Sequence, residues 1–219
     1  MVKDAPKNAK QHTIYKLKDG TRVPGATTIT GVMDKPFLVP WANRLGLEGI
    51  KSTEYVDNLA QIGTLAHDLI ACHLQCLPHD TDDYTAQQID LAENAVISYW
   101  EWEKGHTVEP ILVEYPLVSE VFRYGGTIDC LAKIDGVLTL LDLKTGKAIY
   151  NDYFDQLASY AWLLWENDHA DKFPLPTMIL RIGRDETEGF EVRKGTRIET
   201  HFERFKVCRQ LYELNKELK

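Results

Sequence analysis

Asp129, Asp142 and Lys144 are the residues whose types and spacing could do chemistry together. They flank Asp135-Gly136, an Asp-Gly pair between apolar runs, which is the strongest short-range signal for a two-residue hairpin. If Ile134 pairs with Val137 and no bulge intervenes, the register sets Asp129 opposite Asp142 and Thr127 opposite Lys144. Alternation then puts Asp129, Asp142 and Lys144 on one face of the sheet. The other face carries Ile128, Cys130, Ala132 and Ile134 against Leu143, Leu141, Thr139 and Val137, and it should pack on the core.

Carboxylates opposed in this way have Cβ atoms roughly 4.5–5.5 Å apart, and like charges there destabilise a sheet. A shared divalent cation would relieve the repulsion. Two carboxylates, a backbone carbonyl and water make a hard oxygen site suited to Mg²⁺ or Mn²⁺. Lys144 adds a positive charge beside it, an arrangement that suits a phosphodiester. The plainer alternative is a pair of solvated strand carboxylates with Lys144 bonded to one of them, because D-x-K is a common triplet.

The elements that must position these residues follow from periodicity. Tyr15 to Val23 reads as a small hairpin turning at Asp19-Gly20. Pro40 is expected to open a helix over Trp41 to Leu47 from its first position. Val56 to Leu74 has helical spacing, with Leu59, Ile62, Leu65, Ala66 and Leu69 forming the core-facing stripe. Pro78 to Asp83 is a polar loop. A second helix runs from Ala86 to Lys104, ended by Gly105.

Beyond it, Ile111 to Val118, Val121 to Ile134 and Val137 to Lys144 read as strands. Asn151 or Asp152 should cap a helix reaching about Glu166. Met178 to Gly183 reads as a short strand, Phe190 to Arg193 as an edge strand, and Ile198 to Leu218 as an amphipathic closing helix. This order gives a mixed α/β domain.

Other candidates have competing readings. His67 lies on a helix, where a lone histidine is commonly a packed or exposed bystander. Gln156 and Tyr160 share a helix face, as a surface Gln and a half-buried Tyr would. Cys72, His73, Cys76 and His79 are close in sequence, but zinc sites usually need a second ligand pair, and none is evident. Arg204, Lys206, Arg209 and Lys216 could meet phosphates or simply form a solvated face. Tyr115, Phe122 and Tyr124 flank the hairpin and could stack on unpaired bases or pack in the core.

The chain has 219 residues, 44% hydrophobic and 26% charged, with net charge −8. One domain over 1–219 is expected, with a frayed tail at 1–11 and a motif-bearing core at about 56–183. The acidic balance argues against a protein that coats DNA and leaves room for a local basic groove with bound cations. Four scattered cysteines suit free thiols. Met1 to Gln11 carries no apolar segment, so a cytoplasmic location without membrane contact is expected.

Gly126-Thr127-Ile128-Asp129 followed by Leu141-Asp142-Leu143-Lys144-Thr145-Gly146 resembles motifs II and III of the RecB-like branch of the PD-(D/E)XK nucleases. Gln156-Leu157-Ala158-Ser159-Tyr160 matches that branch's Q-x-x-x-Y element, and Gly63-Thr64-Leu65-Ala66-His67 its G-x-x-x-H element. Val23-Pro24-Gly25-Ala26-Thr27-Thr28-Ile29 with Trp41-Ala42 is similar to the start of phage-encoded exonucleases.

The resemblance implies a restriction-endonuclease-like core, a central mixed sheet flanked by helices. It implies Mg²⁺ or Mn²⁺ held by Asp129, Asp142, the Leu143 carbonyl and His67. Glu114 joins this set because some relatives carry an acidic residue on the preceding strand. Lys144 would be catalytic, and Gln156 and Tyr160 would orient the site or bind the nucleic-acid backbone.

The implied activity is DNA hydrolysis, as an exonuclease at ends of single- or double-stranded DNA. It would act in recombination, repair or replication, beside a recombination or single-strand-binding protein, in a bacterium or phage-infected host cell. A structure-specific endonuclease and a non-catalytic nucleic-acid-binding module are the alternatives. Cas4-like relatives hold an iron–sulfur cluster through three C-terminal cysteines; Cys208 stands alone there, so no cluster is expected.

Overall fold

The computed structural model describes residues 13–218; the expected tail at 1–11 lies outside them. The chain opens on a small hairpin, β1 (Tyr15–Lys16) and β2 (Arg22–Val23). Three helices follow: a short α1 (Ala26–Thr30), α2 (Leu38–Leu47) and the long α3 (Ser52–Gln75). Next come α4 (Ala86–Glu103), β3 (Val108–Ser119), β4 (Tyr124–Ile134) and β5 (Val137–Thr145). The chain ends with α5 (Asn151–Glu166), β6 (Thr177–Ile182), β7 (Phe190–Lys194) and α6 (Ile198–Glu217).

The five-stranded sheet has the order β3-β4-β5-β6-β7. It is antiparallel throughout except for the parallel pair β5/β6, which α5 connects. Helices cover both faces. Ile128, Leu131, Leu140 and Ile179 of the sheet pack with α1, α5 and α6. Cys130, Ala132, Ile134, Leu141, Leu143 and Leu180 pack with α3 and α4. The central strands are therefore apolar on both sides over most of their length, as strands covered twice must be. No helix among the described residues is long and apolar enough to cross a membrane.

The Asp135-Gly136 turn forms as its chemistry demands, with φ of 51° and 79°, a primed turn whose twist matches the strands. The expected register holds from Ile134–Val137 to Cys130–Leu141, and the ladder stops there. Asp129 and Asp142 are thus not a ladder pair. The alternation of faces also slips by one on β4: Cys130, Ala132 and Ile134 face α3 and α4, whereas Ile128 faces α5. The single apolar face expected to include Ile128 therefore ends at Cys130.

Three local expectations are corrected. α2 starts at Leu38, so Pro40 stands at its third position; a proline fits anywhere in the first turn, where its missing N–H has no helical partner. Neither Asn151 nor Asp152 caps α5; Tyr150 is the N-cap and offers no side-chain bond. Val121 belongs to the turn before β4, where Arg123 takes φ 54°.

Candidate active site

The site lies where β4 and β5 part. Once the ladder ends, the Asp129 side chain takes over: its Oδ2 accepts the Leu143 N–H at 2.7 Å. In antiparallel strands a residue's N–H and C=O turn to the same neighbour, so the Leu143 carbonyl faces this gap as well. Glu114 of β3 lies opposite Asp129, between the pairs Val113–Cys130 and Tyr115–Ile128, with φ of 48°. A non-glycine residue in that region is uncommon and marks a constrained backbone.

His67 enters from α3. Its Nδ1 lies 3.6 Å from Asp129 Oδ2. Gly63, one helical turn earlier, explains why the helix can come so close. A Cβ at Gly63 would sit 2.7 Å from Thr145 Oγ1, at the end of β5. The G-x-x-x-H spacing thus pairs the point of closest helix–strand approach with the side chain that needs it.

From the other face α5 supplies the second layer. Gln156 Nε2 donates to the Tyr160 hydroxyl at 2.7 Å. A Cβ on Gly126 would overlap the Tyr160 ring, so Gly126 of the G-T-I-D motif makes room for Tyr160 of the Q-x-x-x-Y motif. Tyr153, one turn before Gln156, lies beneath Lys144, whose Nζ is 5.3 Å from its ring centroid. Sequence reasoning missed Tyr153, although it falls on the same helix face as Gln156 and Tyr160. It also missed Thr145 and Tyr15, whose hydroxyl lies 3.0 Å from Thr127 Oγ1.

Asp142 is buried. Its Oδ2 forms an ion pair with Lys144 Nζ at 2.7 Å, and neither carboxylate oxygen has a hydrogen-bond partner among the described residues. A buried carboxylate oxygen left in this state is costly unless something else satisfies it.

The electrostatics are mutual. Burial pushes the Asp142 carboxyl up to about 6, with Asp129 adding repulsion against the pull of Lys144. Burial would also raise Asp129, but the His67 and Lys144 charges outweigh it and hold the group down at about 2. His67 and Lys144 are each lowered by burial, yet end above their usual values because the carboxylates attract their protons.

Ligand atoms of His67, Glu114 and Asp129 all lie within 4.8 Å of one another. This set of two carboxylates and one imidazole fits a divalent cation, and the Asp142 carboxylate is near enough to feel the Asp129 and His67 charges. Asp129 belongs to the three-residue group, and Asp142 is bonded to Lys144.

The other candidates go elsewhere. Cys72, His73, Cys76 and His79 form no such group among the described residues, and His73 bonds Glu103 at 2.7 Å. Arg204, Lys206 and Arg209 are paired with Asp155, Glu203 and Glu213. Phe122 packs on Trp162 and Phe202, Tyr124 is fully buried, and Tyr115 meets His169 edge-on.

Solved structures similar to this one include a putative exonuclease from Eubacterium rectale, at TM-score 0.44 and 12% identity over 68% of each chain. The alkaline exonuclease LHK-Exo from Laribacter hongkongensis aligns at TM-score 0.32 and 14% identity, over 70% of this chain and 84% of that one. LHK-Exo in complex with dAMP aligns at TM-score 0.39 and 12% identity, over 69% and 78%. No curated protein sequence matches the chain. The family model of the PD-(D/E)XK nuclease superfamily matches residues 41–217, and the chain belongs to that superfamily.

Proposed function

We propose that this protein hydrolyses DNA phosphodiester bonds with Mg²⁺ or Mn²⁺, acting as an exonuclease on DNA ends in recombination, repair or replication. The observation that carries this reading is the buried, unsatisfied Asp142 carboxylate bonded to Lys144 beside the His67, Glu114 and Asp129 group. Asp129, Asp142, Glu114, His67 and the Leu143 carbonyl would hold the metal. When bound, the ion supplies Lewis acidity toward a phosphoryl oxygen and toward water.

The remaining work belongs to side chains. Lys144, fixed by Asp142 and by the Tyr153 ring, offers its ammonium to the negative charge that develops on the phosphate. The Gln156 amide spends one N–H on Tyr160 and keeps another for the nucleic-acid backbone. The Tyr160 hydroxyl stays protonated at working pH because burial drives it well above its usual value. The preference for ends rests on the resemblance to the RecB-like and phage branch.

Purified protein with Mg²⁺ or Mn²⁺ should degrade labelled linear DNA and leave covalently closed circles intact. Asp142→Ala and Lys144→Ala should each slow degradation by at least about a hundredfold. Variants as fast as wild type would overturn the mechanism. Equal attack on circles would overturn the preference for ends.

A further inference from the structure

A path of aromatic rings leads from solvent to the Lys144 ammonium. Lys144 Nζ lies over Tyr153, and Tyr153 meets Tyr150 edge-on at 5.6 Å. Tyr150 in turn stacks on Phe37 at 5.8 Å, with 12° between the ring planes. Exposure rises outward along this path. Tyr153 is half-buried against the α5 core, Tyr150 is 43% exposed and Phe37 54%.

Neither outer ring belongs to a hydrophobic core cluster, so packing does not account for either. Their placement is nevertheless fixed. Tyr150 is the N-cap of α5 and Tyr153 follows in its first turn. Phe37 is the N-cap of α2, and the loop before it is tied to α5 by Lys35 Nζ on Asp152 Oδ2 at 2.7 Å.

Building on the nuclease reading above, the geometry points to Phe37 and Tyr150 as a stacking site for unpaired bases of a DNA strand whose phosphate lies at Lys144. Only an unpaired base can give up its face to a side chain, and every base has such a face, so the site takes single strands with little regard to sequence. The charges agree. The path ends at an ammonium, the carboxylate at its foot is already bonded to Lys35, and exposed Lys147 stands in the loop joining β5 to α5. Such a site would let the enzyme hold a frayed or single-stranded end while the reacting phosphate sits among the carboxylates.

The test is binding in chelator, where no cleavage occurs. Fluorescence anisotropy is read for a labelled single-stranded oligonucleotide and for an abasic one of equal length. Phe37→Ala and Tyr150→Ala should each weaken binding of the ordinary oligonucleotide about tenfold, and Phe37→Trp should restore it. The abasic strand should bind weakly and alike to all forms.

Variants that bind the ordinary strand like wild type would overturn the site. So would equal loss for both strands, or no wild-type binding at all. A dimer that Phe37→Ala dissociates, with DNA binding unchanged, would assign the rings to a second copy of the chain instead. Because nothing is cleaved, this outcome is read apart from the cleavage assay. An active nuclease with no stacking site and a DNA-binding protein with no activity give different results.

Discussion

Asp129 Oδ2 accepts the Leu143 N–H at 2.7 Å at the point where the backbone ladder between their strands has ended. The carboxylate stands in for a strand, and in doing so holds the gap open. One bond thus serves the sheet, while the same carboxylate keeps a ligand atom within 4.8 Å of those of His67 and Glu114.

Asp129→Asn keeps an oxygen for Leu143 and removes the charge. The fold should survive, because the bond that replaces the ladder can still form. Metal binding should not. Wild type with Mn²⁺ at a hundred times its dissociation constant should gain about 2.7 kcal/mol of stability. The variant should gain almost none. Calorimetric melts with and without Mn²⁺ measure this, and an undiminished gain in the variant would contradict the assignment of Asp129 as a ligand.

Glu114 combines backbone strain and a candidate ligand in one residue. Its φ of 48° disfavours any side chain, and its carboxylate lies within 4.8 Å of the other two candidate ligands. Glycine at 114 should relieve a backbone cost of about 1–2 kcal/mol, which exceeds the loss of its partly screened attraction for the His67 proton, and it removes one candidate ligand. The melting temperature in chelator should therefore rise, while affinity for Mn²⁺ falls. Opposite signs for the two readouts are the expectation. A variant that loses stability in chelator would place Glu114 in the scaffold rather than in the site.

Gly63→Ala tests the close approach of α3 to β5. The added methyl meets Thr145 Oγ1 at 2.7 Å, and overpacking of this kind typically costs about 1–3 kcal/mol. Displacing the helix also moves His67 from Asp129, so cleavage should fall together with stability. Thr145→Ala removes the colliding oxygen, and the double variant should recover most of both. Non-recovery, read from urea unfolding and cleavage rates, would mean that the glycine serves another purpose.

Much of this was legible in the residues. The Asp-Gly turn fixed β4 against β5, and of the expected helical stripe Ile62, Leu65, Ala66 and Leu69 are buried while Leu59 is half-buried. The sequence could not show that Asp129 replaces a ladder bond, because alternation assumes that pairing continues. The same assumption misplaced Ile128.

The left-handed backbone at Glu114 and the rings leading to Lys144 were invisible for a different reason. Each depends on segments far apart in the chain meeting in space, as Phe37 and Tyr150 do. The motif glycines were recognised as a pattern, but their purpose is a distance, and only the packed structure supplies it.

The turn between β6 and β7 offers a test that is independent of the metal. Arg184 and Glu188 are both buried there. Arg184 Nε donates to Glu188 Oε2 at 2.8 Å, its backbone N–H donates to the same oxygen at 3.0 Å, and Nη2 reaches Oε1. Burial alone would raise the Glu188 carboxyl, but the Arg184 bonds and charge outweigh it and hold the group below its usual value. A carboxylate depressed by folding stabilises the native state above its unfolded value, about 4.3. That stability is lost as pH falls through the lower, folded value. Glu188→Gln should therefore cost about 2 kcal/mol at pH 7, or a melting temperature lower by about 5 °C in a chain of this size. The gap between variant and wild type should close as the pH falls below about 4. A gap that stays constant from pH 7 to pH 3 would show that the buried pair contributes through packing and not through charge.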